Sequence, residues 1–362
     1  MIWIIAQKEF LQNLKTLRFS LFLIFSVILV LLSAFISIRN YESRLTEHLN
    51  VEDYQRERKR EDKINLEPEV LSILARGADR RMGNSIAIVF RGPFKATSHI
   101  GHFSQRMRFM SEFSDIDFAF IVQVIFSLLA IILVYDTISG ERTHGQLRLI
   151  LSNSVPRANL LIGKFIGNAL CLLLPYGSCF VLGLLIVQLS PKVQLTNGDW
   201  ARVAIMFFIS VLYLLAFLNL GTLVSCKNRM PALSLLILLS LWIWLIVVHP
   251  KLSVFTAKKF APVTSEARME QQLGQVYEDY QQKREKETRG RYGLLLFIQL
   301  AKEEKKVYDN FLNQFAQQAQ VANWISMASP VGCYDSAMMA VAKTDVASHD
   351  RQEGTEVSTA TM

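Results

Sequence analysis

Charge is missing from five long stretches of the 362-residue sequence, which contain no Asp, Glu, Lys, Arg or His. Charged residues make up 19% of the chain, compared with roughly 25% in a soluble globular domain. A helix needs about 20 mostly apolar residues to cross the hydrocarbon layer of a membrane. The sequence therefore predicts an all-α polytopic membrane protein and excludes an ordinary soluble domain. The predicted transmembrane helices cover 19–38, 118–135, 165–189, 203–225 and 231–248.

Motifs for catalysis and for nucleotide or metal binding are also missing. The sequence has no Gly-x-x-x-x-Gly-Lys-Ser/Thr phosphate loop, no His-Glu-x-x-His and no Gly-x-Ser-x-Gly. Its four cysteines show neither metal-ligand spacing nor a disulfide framework. We therefore expect no enzymatic activity, metal or cofactor in this chain. The net charge of +8 does not predict nucleic-acid binding, because the basic residues do not form one face and many lie in short loops beside the spans.

Ionisable side chains within the membrane mark many gradient-driven transporters, and their absence from these spans disfavours that class. Three notable polar residues lie inside the spans, namely Gln123, Asn168 and Asn219. We expect such side chains to form hydrogen bonds between packed helices. The pair Gly163 and Gly167 at the start of the third span likewise predicts a close helix contact.

The orientation follows from the charge of the short loops. Lys and Arg are frequent in the N-terminal segment and in the loops after spans two and four, whereas the loop after span three holds only Lys192 before Trp200. The positive-inside rule then predicts a cytoplasmic N-terminus. This orientation gives a cytoplasmic amphipathic interfacial helix (1–18), a cytoplasmic loop (136–164), two mainly helical extracytoplasmic insertions (39–117 and 249–344) and a disordered polar tail (345–362). For 1–18, a simple extension of span one remains an equal alternative.

The insertions contain local patterns of their own. Ser85–Phe90 is a candidate strand, and Met269, Leu273, Val276 and Tyr280 mark one face of a helix. Val321–Ala342 is the longest candidate for a sixth span, but it is interrupted at Pro330 and carries Asp335. A charge near the bilayer centre costs about 2.5–3.5 kcal/mol. We therefore expect an interfacial or soluble helix there and a C-terminus outside the cytoplasm.

The loop 136–164 carries the most informative pattern. It combines an apolar stripe with a charged stripe, formed by Leu147, Ile150 and Leu151 and by Glu141, Arg142, His144 and Arg148. Such an element can lie against the membrane and present its charged face to a cytoplasmic partner. Periodicity alone favours the alternative of an ordinary interfacial linker.

The order of several short motifs resembles ABC-2-type transporter permeases. In that family an acidic residue and a glycine open a short cytoplasmic helix, a leucine-rich stretch ends in Ser-x-Pro-x-Ser-Arg, and Gly-Lys enters span three. The matching residues here are Glu141, Gly145, Leu149–Ser152, Pro156-Arg157 and Gly163-Lys164, with the serine before the arginine missing, and Lys8-Glu9-Phe10 resembles the family's surface helix. The long segments after spans one and five resemble the subgroup of gliding-motility and nitrous-oxide-reductase maturation permeases.

The resemblance implies a permease subunit of a bacterial inner-membrane ABC transporter, in a family plan of six spans. Two permease copies would form the path, and two separate ATPase subunits would bind ATP and Mg and drive the cytoplasmic helices. It implies ATPase docking by Glu141, Arg142, His144, Gly145 and Arg148, with Pro156 and Arg157 shaping the turn into span three. The alternative is a membrane scaffold that only anchors the extracytoplasmic helices, and a secondary transporter comes third. The cargo is not predicted.

Overall fold

A computed structural model describes most of the chain, namely residues 1–58, 63–65, 69–75, 85–90, 96–100, 117–152, 156–193, 195–286 and 292–344. The predicted tail (345–362), and those parts of the first insertion that fall between these ranges, lie outside the described residues. Helices dominate, as the five uncharged runs predict.

Five helices of the described chain are long and apolar enough to cross a membrane, which confirms the predicted number. Helix α1 (Ile2–Leu14) precedes the first of them and is separate from it. The five are α2 (Leu17–Arg58), α3 (Phe118–Ile121, Val122–Phe126 and Ser127–Val134), α6 (Arg157–Leu189), α7 (Asn197–Lys227) and α8 (Pro231–Phe260). Between α3 and α6 lie two short helices, α4 (Ser139–Thr143) and α5 (Gln146–Ser152).

The described part of the second insertion consists of helices joined by short turns. It contains α9 (Glu266–Lys286), α10 (Tyr292–Ser326) and α11 (Pro330–Ala342). The first insertion differs, because it holds a three-stranded antiparallel sheet in the order β1-β2-β3. Its strands are β1 (Lys63–Asn65), β2 (Ser85–Phe90) and β3 (Ala96–Ile100), so the candidate strand over Ser85–Phe90 is confirmed.

The loops sort into two groups at opposite ends of the spans. At one end, which we call the basic end, α1 packs on the first turns of α6, and Arg142 after α3 donates to the carbonyls of Cys226 and Asn228 after α7. At the other, the far end, the Arg202 guanidinium lies 3.9 Å from the Glu69 carboxylate. These are the two sets of loops that the charge rule assigns to opposite sides of the membrane.

Aromatic rings fill the centre of the span bundle. Tyr176 of α6 is fully buried and stacks on Phe207 of α7 with ring centroids 5.3 Å apart. Phe126 of α3 meets the same tyrosine edge-on at 5.7 Å. Because these three helices share one core, the region that follows α3 is held at a fixed position relative to α6 and α7.

A π-helical turn interrupts α3 at Val122–Phe126, and polar bonds cluster there. The Tyr213 hydroxyl donates to the Gln123 carbonyl at 2.9 Å, and the Trp242 indole donates to the Ser127 hydroxyl at 2.9 Å. Such turns release backbone carbonyls from the regular helical pattern. The polar tips of the aromatic core are thereby satisfied without water.

Helix α11 is too short to cross a membrane and packs against the span bundle at the far end. Its thirteen residues span about 20 Å, less than the roughly 30 Å of the hydrocarbon layer. Tyr334 stacks on Tyr213 in the middle of α7 at 4.4 Å, and the Thr344 hydroxyl donates to the Ala75 carbonyl at the far end. Helix α10 approaches the same depth, since Gln318 donates to the Ala261 carbonyl and α10 continues to Ser326.

The segment Val321–Ala342 is thus the end of α10 followed by α11, and no sixth span is found among the described residues, as the sequence predicts. The expected interfacial or soluble placement of this segment stays a prediction. The buried face of α11 includes Val331, Tyr334 and Met338, whose helical spacing forms an apolar stripe that packs on α7. Asp335 lies one turn after Val331 on this helix and is half-buried.

Candidate functional site

The cytoplasmic loop predicted over 136–164 folds into two short helices joined by a glycine. Gly145 separates α4 from α5 and has φ +71°. This left-handed conformation costs a residue with a Cβ roughly 1–2 kcal/mol. Gly145 therefore sets the angle at which α5 leaves the body of the protein, which gives a physical reason for a glycine at this motif position.

A buried ion cluster lies directly beneath α4. The Lys164 ammonium lies 3.1 Å from the Glu9 carboxylate and 2.9 Å from the Glu141 carboxylate, and it donates to the Thr137 carbonyl at 3.1 Å. The lysine side chain is only 3% exposed, and the two carboxylates are 13% and 16% exposed. One cation thereby connects α1, α4 and α6.

The charges of this cluster do not balance when all three groups are ionised, because two carboxylates share one ammonium. Burial raises the pKa of Glu9 above its usual value of 4.5, although the adjacent Lys164 opposes that rise. The second oxygen of Glu141 is buried and receives no hydrogen bond from the described residues. Burial in this cluster therefore makes Glu9 a weaker acid than an exposed glutamate.

Close backbone packing brings α1 to this cluster. A Cβ at Gly163 would lie 2.9 Å from the Ile5 Cβ, and a Cβ at Gly167 would lie 2.6 Å from the Ala6 carbonyl oxygen. The predicted close helix contact at this glycine pair is confirmed, and α1 is its partner. No residue larger than glycine fits at either position without displacing α1.

Asn168 adds a second connection between the same elements. Its amide oxygen accepts from the Asn13 amide at 2.6 Å, and its own amide donates to the Thr137 hydroxyl at 3.2 Å. The predicted role of this intramembrane asparagine in helix packing is confirmed. Asn219 differs, because its side chain is exposed on the outer surface of α7.

Helix α4 is also fixed to the end of α7. The Ser225 hydroxyl accepts from the amides of Ile138 and Ser139 at 3.2 Å each, which satisfies two of the free N–H groups at the start of α4. Arg142 donates to the Cys226 and Asn228 carbonyls at 3.1 and 3.2 Å. A basic side chain at a helix C-terminus also interacts favourably with the negative end of the helix dipole. The spans α6 and α7 therefore hold α4 in place.

The structure divides the predicted site residues into two groups. Glu141 turns inwards to Lys164, and the Arg142 guanidinium is bound to the carbonyls after α7. The others are exposed at the basic end and lie on α5, on the turn before it or at the start of α6; they are His144, Gly145, Arg148, Pro156 and Arg157. Leu149, between them on α5, is 70% exposed.

Comparison with known proteins shows to which family the chain belongs. A family model described as ABC-2 family transporter protein matches residues 3–362. The chain belongs to this family. It is also 41% identical over 71 residues to the "Probable ABC transporter permease protein NosY" of Pseudomonas aeruginosa, a match that covers 18% of this chain. The chain spans a quarter of the length of that relative.

Membership of the ABC-2 family confirms the resemblance drawn from Glu141, Gly145 and the Gly163-Lys164 pair. The chain is a multi-pass membrane protein of a transporter permease family, which agrees with its five candidate spans. Sequence reasoning missed the contact between Glu9 and Lys164, although both stand within the motifs that carried the resemblance. The sequence does offer a signal for Lys164, since the family pattern places a lysine at the entry to an uncharged span.

Proposed function

We propose that this chain is the permease subunit of an ABC transporter and that a separate ATPase subunit docks on its α4–α5 loop. The observation that supports this proposal most is the construction of the loop. Its inner side is bound to α1, α6 and α7 through Lys164, Arg142 and Ser225, while its outer side is exposed. A force applied to the outer side would therefore reach three helices of the bundle.

The orientation proposed for this function places the basic end in the cytoplasm of a bacterial cell. Lys8, Arg148 and Arg229 are all exposed at that end. The sequence holds no phosphate loop, so ATP and Mg would bind on the partner. A second permease copy would complete the path, and the outward apolar surfaces of α2 and α8 are available to it and to lipid.

The docking surface consists of His144, Arg148 and Leu149. It combines two polar or basic side chains with one exposed apolar side chain, a composition suited to a protein partner with an acidic rim. Charges at the rim of an interface govern the association rate and its dependence on salt. The proposed surface leaves out Glu141, whose carboxylate lies 2.9 Å from the Lys164 ammonium.

Charge reversal of Arg148 tests the docking proposal. Arg148→Glu should lower the rate of association with the ATPase subunit by about tenfold or more, the lower range of electrostatic steering. Lys192→Glu is the matched control, because it reverses an exposed basic residue in the short loop after α6, at the far end. Association is measured with purified chain in nanodiscs by surface plasmon resonance. Equal rates for the two variants would contradict docking on α5 and favour an interfacial linker.

A further inference from the structure

We propose that Lys164 is a positioning residue that makes the docking loop and the N-terminal helix α1 move as one body with span α6. The proposal rests on the function proposed above, since it assigns the route by which motion of the loop enters the membrane. It concerns residues on three different elements, and the sequence separation between Glu9 and Lys164 is 155 residues.

The geometry makes Lys164 the common point of the three elements. Its ammonium bonds Glu9 on α1, Glu141 on α4 and the Thr137 carbonyl just before α4. Each of the three bonds is 3.1 Å or shorter. A movement of α4 that preserves these bonds must displace both α1 and the start of α6.

Burial makes these bonds resistant to separation. Lys164 is only 3% exposed at its side chain, so water cannot replace a lost carboxylate without opening the contact between α1 and α6. An unpaired charge in such a position is strongly unfavourable. The Gly163–Gly167 contact and the Asn13–Asn168 bond flank the cluster on the same interface. Opening the ion cluster therefore requires α1 to separate from α6 along its length.

The test compares Lys164→Met with Lys227→Met. Lys227 lies at the same end of the bundle and is exposed, so it controls for loss of positive charge. A third variant, K164M/E9Q/E141Q, removes all three charges and leaves no unpaired buried carboxylate. Two measurements are made on each variant in nanodiscs: binding of the ATPase subunit, and the increase of its ATP turnover caused by the permease.

We expect K164M to bind the ATPase subunit as the wild type does, because the docking surface is unchanged. Its stimulation of ATP turnover should be lower than that of the wild type by roughly 5–150-fold, the usual range of coupling between sites. The triple variant should recover thermal stability without recovering stimulation. Stimulation by K164M equal to that of K227M would overturn the proposal. Full recovery of stimulation in the triple variant would also overturn it, because the cluster would then have only a structural role.

A measurement without the ATPase subunit separates this proposal from the docking proposal. Ala6 is fully buried between α1 and α6, so Ala6→Cys in a background without the four native cysteines reports separation of these helices by its rate of maleimide labelling. We expect K164M to accelerate labelling and K227M to leave it unchanged. Unchanged labelling in K164M would refute the connection through Lys164 even where docking is demonstrated. Failure of the wild type to bind any ATPase subunit would refute the proposed function instead.

Discussion

A methyl group added at Gly167 should separate α1 from α6. An alanine Cβ there would lie 2.6 Å from the Ala6 carbonyl oxygen and 2.8 Å from the Glu9 Cβ. Carbon atoms in favourable contact are about 3.5–4.0 Å apart. The nearest atom belongs to the backbone of α1, which no side-chain rotation can move, so α1 itself must shift.

The magnitude follows from two opposing effects. Overpacking of this kind costs about 1–3 kcal/mol, while replacing glycine by alanine within a helix contributes about 1 kcal/mol of stability. Gly177 of the same helix shows the second effect alone, because a Cβ there meets nothing within 4 Å. Gly177→Ala should therefore be about 1 kcal/mol more stable than the wild type. Gly167→Ala should be about 1–3 kcal/mol less stable than Gly177→Ala.

The free energies of unfolding are measured by reversible denaturant titration of the protein in mixed micelles. Maleimide labelling at Ala6→Cys provides the local measurement, and it should accelerate only with the Gly167 substitution. Equal stability of the two alanine variants, with equal labelling rates, would refute the close contact between α1 and α6.

Three further predictions concern single residues and the topology. Because burial holds the pKa of Glu9 above 4.5, the folded state binds this proton more tightly than the unfolded state does. Stability should therefore fall as the pH rises through the raised pKa. Glu9→Gln should remove this pH dependence in a series of thermal unfolding measurements, and an unchanged pH dependence would contradict the prediction. Gly145→Ala should destabilise the turn by roughly 1–2 kcal/mol and increase proteolysis between α4 and α5, whereas Gly274→Ala, which meets nothing within 4 Å, should not. A reporter fused after Thr344 should report the side opposite to one fused at the N-terminus, since five spans lie between them; the same side for both would require a sixth crossing.

The number and approximate limits of the spans could be predicted from the sequence because they depend on charge and length alone. One helical face of the second insertion could also be predicted, because it follows from the periodicity of the sequence. Its residues are partly buried, namely Met269, Leu273, Val276 and Tyr280. The packing of α11 on α7 could not be predicted from the sequence. It depends on Tyr334 and Met338 finding a complementary surface on α7, a contact between residues more than a hundred positions apart.

The sequence predicts a candidate site in the loop after α3 but not the contacts from which it is built. Glu141, Gly145 and Pro156 mark this loop in the sequence, where helical spacing predicts a single charged stripe. Helical spacing cannot reveal that Gly145 breaks the helix, nor that Glu141 faces a lysine from another element. The ion cluster joins residues from three segments of the chain, and only their tertiary packing brings them together.

The docking of an ATPase subunit on the α4–α5 loop is tested most directly by site-specific photo-crosslinking in the native membrane. A photoreactive amino acid replaces Leu149, which is 70% exposed at the basic end, and in a parallel sample Phe260, which is 75% exposed and lies at the end of α8 towards the far end. The account predicts that position 149 crosslinks to a protein that contains a phosphate-binding loop and that position 260 does not. A crosslink to that protein from position 260, or none from position 149, would contradict the account.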